Sequence, residues 1–304
     1  MNTSLLDPPP IQFSPSGQAP HRGRRRFVNA AITTILALIM AATVAILLWV
    51  LGYVAAQGLK YLGPEFLTQT PPGNPSDPGG GFVNGIIGSI IVVGIATVIS
   101  VPLGIAAAVH IVEYGGRTAR YASFLTDVLV GVPTIVTGAF VYALWVVYFG
   151  FSGIALALVM LPLVIRTTAE ILRLVPTELR EASLALGITR ARTIISVVVP
   201  TAMSGIITGV MLAVARAMGE TAPLLLTVLG NDLFIEFNPT QRMSTLSLQI
   251  FGNAITGFHA AQARAWAGAL TLIAIVLILT VTARLLARRG SIRKGGSIRK
   301  GGPT

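Results

Sequence analysis

Two ionisable side chains interrupt an apolar part of the sequence, in the stretch ARAMGETAPL between Ala215 and Leu224. Arg216 and Glu220 are four residues apart, so a continuous helix would place them on one face as an ion pair. The surrounding segment, 210–230, contains no other ionised side chain and is long enough to cross a bilayer. An arginine at the centre of a membrane span costs about 2.5–3.5 kcal/mol on insertion scales, so it normally faces a cavity, a partner or a pathway.

A second pair with the same spacing, Arg166 and Glu170, lies in VIRTTAEILRLVP. Two such pairs on consecutive spans predict one shared polar layer. The planar arginine fork binds oxyanions through two parallel hydrogen bonds. A neighbouring glutamate would temper the positive field, or accept a hydrogen bond from a protonated anion. We therefore predict that Arg166, Glu170, Arg216 and Glu220 line an anion pathway; the alternative is that each pair only joins neighbouring helices.

The composition indicates which elements must position these residues. Of the 304 residues, 53% are hydrophobic and only 11% are charged, with a mean hydropathy of +0.77. Soluble domains carry about 25% charged residues, so an all-α membrane protein is favoured. The requirement of about 20 apolar residues per span predicts six transmembrane helices. These spans are 27–58, 83–112, 121–148, 152–175, 197–229 and 265–288.

The distribution of positive charge predicts the topology. Most of the 22 lysine and arginine residues lie in the two terminal segments and in the second-to-third and fourth-to-fifth connections. The positive-inside rule therefore places both termini in the cytoplasm. The basic excess reflects topology, so no nucleic-acid partner is expected, whereas membrane lipid is.

Three regions follow from these boundaries. Residues 1–26 are predicted to be a disordered cytoplasmic tail, residues 27–289 a six-helix transmembrane domain, and residues 290–304 a low-complexity basic tail. On the opposite side of the membrane, the Pro- and Gly-rich connection 60–81 is expected to be irregular. The connection 231–266 is partly amphipathic and is expected to lie on the membrane surface or to meet a partner.

The cytoplasmic connection PTELREASLALGITRARTIISVVVP, residues 176–200, has its own pattern. It predicts a short amphipathic helix, a break at Gly187 and a second short helix. The apolar face of such a helix must be buried on the membrane surface or in a groove of a partner protein.

This connection resembles the cytoplasmic motif of ATP-binding-cassette (ABC) importer permeases, Glu-Ala-Ala, three residues, Gly, nine residues, Ile-x-Leu-Pro. The matching residues here are Glu181, Ala182, Ser183, Gly187 and the run 197–200, which ends at Pro200. Serine replaces the second alanine, and valines replace isoleucine and leucine. The resemblance implies that residues 176–200 form a coupling loop whose helix sits in a groove of a cytoplasmic ATPase.

Three further stretches, RAMGETAPLLLT, GVPTIVTGAF and VIRTTAEILRLVP, resemble the PstA-type permeases of the high-affinity phosphate ABC importer. The resemblance extends from about Phe27 to Arg289 and implies a type I ABC importer permease fold in a bacterial inner membrane. It implies that Arg166, Glu170, Arg216 and Glu220 take part in phosphate translocation. The implied partners are a PstC-type second permease, a PstB-type ATPase dimer and an extracytoplasmic PstS-type phosphate-binding protein.

Other chemistry finds little support in the sequence. There is no cysteine, the three histidines are scattered, and PGGGFVNG lacks the Gly-Lys-Ser/Thr ending of a phosphate-binding loop. We expect no metal or cofactor in this chain, with ATP and Mg²⁺ bound by a partner ATPase, and no enzyme activity of its own. Asp127 is expected to serve helix packing. The alternatives are a permease for sulfate or molybdate, or a stand-alone ion-coupled carrier with the carboxylates as proton relays.

Overall fold

The computed structural model describes residues 22–150 and 153–295, and that part of the chain is mostly helical. The helices, in chain order, are α1 Arg22–Gly58, α2 Pro64–Thr68, α3 Val83–Val109, α4 Gly116–Gly131, α5 Thr134–Val141, α6 Val147–Phe149, α7 Ile154–Arg173, α8 Thr177–Ala185, α9 Arg190–Thr193, α10 Val199–Met218, α11 Leu224–Thr227, α12 Leu246–Ala254 and α13 His259–Gly295. Three π-helical turns extend this set: His110–Tyr114 continues α3, Tyr142–Val146 joins α5 to α6, and Ile194–Val198 joins α9 to α10.

The membrane spans agree with the prediction in number when one bent pair is taken as a single span. Among the described residues, five helices are long and apolar enough to cross a bilayer, and α4 with α5–α6 forms a sixth candidate that is bent by 104°. The chain is therefore an all-α, multi-pass membrane protein.

The third predicted span, 121–148, is not one continuous helix. The break lies at Val132, whose backbone is extended (φ −74°, ψ 128°) immediately before Pro133. Proline disfavours the helical conformation of the residue before it and lacks the N–H that would continue the ladder. Pro162, by contrast, lies inside the continuous helix α7.

The fifth predicted span, 197–229, is displaced toward the N-terminus by several residues. The helical segment extends from Arg190 to Met218 and ends at Gly219. Pro200 is accommodated because the preceding turn relaxes to π-helical geometry, where the regular hydrogen-bond ladder is already interrupted. After Gly219 the chain is irregular through Pro223 and then forms the short helix α11.

Helix α1 lies largely in a compact unit of its own, which ends at Tyr53. It is apolar and exposed around its circumference, as expected for a helix surrounded by lipid. It begins at Arg22, inside the tail predicted to be disordered; residues 1–21 lie outside the described part. At the other end, α13 continues to Gly295, and residues 296–304 lie outside the described part.

The second unit, from residue 54 onward, has a core formed mainly by α3, α7 and α10. Small residues allow the helices to approach closely, as is usual in membrane bundles. A β-carbon built on Gly104 of α3 would lie 2.7 Å from Val164 of α7. On α10, the equivalent positions are Gly205 against Ile171 and Gly209 against Thr167.

The connections 60–81 and 231–266, which were predicted to lie on the side of the membrane opposite the termini, make more tertiary contacts than predicted. In the first, Phe66 of α2 is buried against Phe82, and Arg264 at the start of α13 donates hydrogen bonds to the carbonyl oxygens of Pro75, Asp77 and Gly79.

In the second connection, part of the segment predicted to lie on the membrane surface or to meet a partner is helix α12, which packs against α3 and α13. The reason is its buried polar face, since the Gln249 side chain donates hydrogen bonds to Asn84 and Asp232.

Candidate functional site

Arg166 lies on α7 between two carboxylates. Its Nε is 3.6 Å from Glu170 Oε1, one turn further along α7, and its Nη1 is 3.7 Å from Asp127 Oδ1 on α4. Helix geometry accounts for the first contact, whereas the second depends on packing of α4 against α7. The cluster therefore holds one positive and two negative groups.

Arg216 and Glu220 form the second predicted pair, with Nε 3.5 Å from Oε1. The reason for the contact differs from the prediction, because Glu220 lies beyond the end of α10 and not on its surface. Its carbonyl oxygen accepts a hydrogen bond from Ser247 Oγ at 2.8 Å, which fixes the irregular segment to α12. The carboxylate is largely shielded, with 16% of its side chain exposed, whereas the Arg216 side chain is 64% exposed.

The break in the third span supports this second pair. A β-carbon on Gly138 of α5 would lie 2.7 Å from the Cα of Pro223 and 2.8 Å from its carbonyl oxygen. The two stretches GVPTIVTGAF and RAMGETAPLLLT, which are far apart in the sequence, are thus in direct backbone contact. This contact sets the position of the segment that follows Glu220.

The register of α7 against α10 sets the relative depth of the two pairs. The contacts of Gly205 with Ile171 and of Gly209 with Thr167 define an antiparallel alignment that places Arg216 opposite Met160. Arg216 therefore lies about six residues beyond the level of Arg166, which corresponds to about 9 Å at 1.5 Å per residue. The prediction of one shared polar layer was wrong, since the pairs occupy two successive levels.

The charged groups of the first cluster are exposed on the isolated chain. Arg166 has 57% of its side chain accessible, and Glu170 and Asp127 are similarly open. Hydrocarbon does not cover ionised groups of this kind without a large free-energy cost. This surface must therefore face another protein chain or a water-lined path.

Asp127, which was expected to serve helix packing, joins α4 to Arg166 of α7. It is the only ionisable residue between Tyr121 and Tyr142. Ionisable residues inside membrane spans are functional candidates by default. That signal was available, but the spacing within one helix could not show that Asp127 meets Arg166 from another.

The connection between α7 and α10 has the predicted helix–break–helix form. Helix α8 is followed by Gly187 with φ +76°, a conformation that glycine adopts without strain, and then by α9. Glu181 and Ala182 are exposed, as is Leu186 with 80% of its surface accessible, so this face of α8 is open in the isolated chain. Pro200 lies at the start of α10, outside the break.

Ser183, which departs from the family motif, has a structural role. Its side chain is buried, and its Oγ lies 2.9 Å from Thr193 Oγ1. The hydroxyl pair joins α8 to α9 across the Gly187 turn, a bond that alanine at this position would not make.

A metal-binding or catalytic interpretation finds no support in this geometry. Among residues 22–150 and 153–295, no group of three or more His, Cys, Asp or Glu side chains is arranged to hold a metal ion.

Comparison with known proteins identifies the family. Residues 100–291 match the family described as the binding-protein-dependent transport system inner membrane component. The phosphate transport system permease protein PstA 1 of Mycobacterium tuberculosis is 39% identical over 94% of this chain and 95% of its own length. The PstA proteins of Xylella fastidiosa and Yersinia pestis are 41% and 42% identical, over 88% and 79% of this chain and 96% and 83% of their own lengths.

The chain belongs to this family, as a PstA-type permease. PstA-type proteins are permease subunits of ABC transporters and not enzymes, and the same holds for this chain.

Solved structures agree on the fold. The inward-facing MetNI methionine ABC transporter aligns with a TM-score of 0.56 at 18% identity, over 69% of this chain and 95% of its own. A bacterial ABC transporter involved in import of the acidic polysaccharide alginate aligns with a TM-score of 0.54 at 14% identity, over 87% and 99%. This PstA-type permease therefore has the ABC importer permease fold that the coupling motif implied.

Proposed function

We propose that this chain is a permease subunit of an ATP-driven phosphate importer, and that the cluster around Arg166 is a station on the phosphate path. Two lines of support meet here. Relatives about 40% identical over most of the chain are phosphate transport permeases. The exposed arginine between two carboxylates is the observation that carries the assignment to this site.

The loose geometry of the ion pairs leaves arginine donors for a substrate. The separations of 3.5–3.7 Å in both pairs exceed the ordinary N–H···O range of about 2.7–3.2 Å. The carboxylates therefore balance the guanidinium charge without taking up its N–H donors in short hydrogen bonds. Oxyanion oxygens can take those donors in bidentate fashion.

The carboxylates also provide a basis for selectivity. Ionised Asp127 and Glu170 accept hydrogen bonds and cannot donate them. Phosphate carries at least one proton at neutral pH and can donate it, whereas sulfate carries none. With two negative groups around one positive group, the cluster repels an anion that brings no donor proton.

The second level, at Arg216, provides a further cation along the same helix pair. An imported anion that leaves Arg216 finds the guanidinium of Arg166 about 9 Å further toward the cytoplasmic end by the helical register. Glu220 holds Arg216 near its own level through the 3.5 Å contact. Two successive weak binding sites let an anion bind and then dissociate, whereas a single strong site would retain it.

The remaining subunits supply what this chain lacks. We assign the face that contains Arg166 to a path shared with a PstC-type permease, and the exposed face of α8, with Glu181, Ala182 and Leu186, to a groove in a PstB-type ATPase dimer. ATP and Mg²⁺ bind in that ATPase. A PstS-type binding protein delivers phosphate from outside, and both termini lie in the cytoplasm of a bacterium.

The test is phosphate uptake by the assembled importer. Arg166→Gln and Arg216→Gln should each lower radiolabelled phosphate uptake by an order of magnitude or more at wild-type membrane abundance. Arg173→Gln, an exposed arginine near the end of the same α7, is the matched control and should transport normally. Normal uptake by both Arg166→Gln and Arg216→Gln would refute the pathway assignment. Stronger competition by sulfate or molybdate than by unlabelled phosphate would refute the substrate.

A further inference from the structure

The least exposed ion pair of the described residues lies away from the candidate path, between Glu113 and Arg180. Arg180 Nη2 is 2.8 Å from Glu113 Oε1, and Nε contacts both carboxylate oxygens. Only 7% of the Glu113 side chain and 19% of the Arg180 side chain are exposed. A shielded, bidentate pair of this kind holds its geometry far better than an exposed one.

This pair joins elements that are distant in the sequence. Glu113 belongs to the π-helical turn that ends α3, and Arg180 belongs to α8. The same guanidinium donates to the carbonyl oxygens of Leu172, at 2.9 Å, and Val175, at 2.6 Å, at the end of α7. One side chain thus fixes α8 to the ends of two core helices.

Helix α9, in the second half of the α7–α10 connection, also contacts Glu113. Arg190, the first residue of α9, donates through Nη2 to the carbonyl oxygen of Glu113, and its guanidinium lies 5.6 Å from the centre of the Tyr114 ring. The helices on either side of Gly187, α8 and α9, therefore both bind Glu113 through an arginine side chain.

Without these contacts, α8 would be fixed less firmly to the ends of α3 and α7. Ser183 is the one residue of α8 that is buried, and the helix is joined to α7 and α9 by short non-helical segments. The Ser183–Thr193 hydroxyl pair joins α8 to α9. It does not join α8 to α3 or α7, so without Arg180 a movement of α8 would pass less directly to these core helices.

We propose that Glu113 is a positioning residue for energy coupling: through Arg180 it makes α8 rigid with the ends of α3 and α7, so that ATPase movement is converted into movement of the core helices. The inference rests on the proposed function, in which α8 contacts an ATPase. It assigns to the end of α3 a role that the coupling motif itself does not include.

The test uses the complete importer in liposomes, with phosphate uptake and ATP hydrolysis measured together. Glu113→Gln should lower phosphate transported per ATP hydrolysed severalfold while the ATPase still co-purifies. Arg180→Lys keeps a positive charge beside Glu113 but lacks the planar guanidinium that makes several hydrogen bonds at once. We expect a smaller decrease in phosphate transported per ATP hydrolysed in this variant. Arg117→Gln, an exposed arginine four residues from Glu113, is the control and should keep the wild-type ratio.

A structural readout separates this inference from the identity of the substrate. The chain has no cysteine, so spin labels can be introduced at the exposed positions Ala185 and Arg120 without removing native thiols. The distance distribution in the complex should be narrow with Glu113 present and broad with Glu113→Gln, whichever anion is carried. An unchanged distribution, a wild-type coupling ratio in Arg180→Lys, or loss of the ATPase from either variant would overturn the proposal.

Discussion

At the scale of single residues, the role of a charged side chain in this protein can be inferred only from the geometry of its ion pair. Arg166 and Arg180 are chemically identical, yet one keeps long, exposed ion pairs and the other a short, shielded one. The first geometry leaves donors available to a mobile anion, and the second uses them for structure. The distance between guanidinium and carboxylate therefore separates a candidate transport group from a structural one.

Asp127 carries the sharpest prediction at this scale. An asparagine at this position would keep the size of the side chain but remove a negative charge and supply an amide donor. Asp127→Asn should therefore reduce discrimination, so that sulfate inhibits phosphate uptake more strongly than in the wild type. The measurement is labelled phosphate uptake against increasing sulfate. Equal sulfate inhibition in the variant and the wild type would contradict the selectivity role.

At the scale of elements, the fold depends on backbones that touch. Gly138 of α5 meets the backbone of Pro223, where no flexible side chain can move aside. Gly138→Ala should therefore lower the thermal midpoint and the membrane abundance of the importer. Gly131→Ala is the matched control, because an added methyl group at Gly131 meets nothing within 4 Å, and it should be neutral. Equal midpoints for the two variants would show that the α5 contact does not support the fold.

The connection 60–81 gives a second test of an element. Arg264 binds three backbone carbonyl groups of this connection, and lysine cannot reach all three with one ammonium group. Arg264→Lys should increase protease cleavage between residues 70 and 80 in membranes. The exposed Lys60 at the start of the same connection is the control, since Lys60→Gln should leave cleavage unchanged. Wild-type resistance of Arg264→Lys would mean that the carbonyl contacts do not hold the connection.

The sequence predicted elements well where the signal was local. Apolar length located the spans, and Gly187 with its flanking residues predicted the break after α8 correctly. It failed where a distant neighbour decides the outcome. Nothing near Pro133 shows that the helix breaks there while the helix containing Pro162 is continuous, and nothing near Asp127 shows that Arg166 is adjacent. The spacing of Glu220 from Arg216 predicted their contact correctly, although α10 ends at Gly219 and the Glu220 N–H donates to the carbonyl oxygen of Ala217 in a terminal turn.

At the scale of the whole molecule, the proposed function gives this chain one side of a path. The exposed charges at Arg166 and the open face of α8 are surfaces that require other subunits. The purified chain alone in liposomes should therefore show no phosphate uptake above empty vesicles, with uptake restored by adding the second permease, the ATPase, the binding protein and ATP. Uptake by the chain alone, driven by an ion gradient, would instead support the stand-alone carrier.

The exposed cluster at Asp127, Arg166 and Glu170 also has a consequence for biogenesis. A copy inserted into the bilayer ahead of its partner presents three ionised groups to hydrocarbon, an arrangement that membrane-resident proteases and chaperones can distinguish from a finished assembly. We expect unassembled copies to be short-lived, so that the groups proposed to carry the anion also act as a degradation signal. The amounts of the two permease subunits in the membrane would then become equal after synthesis, because copies without a partner are degraded.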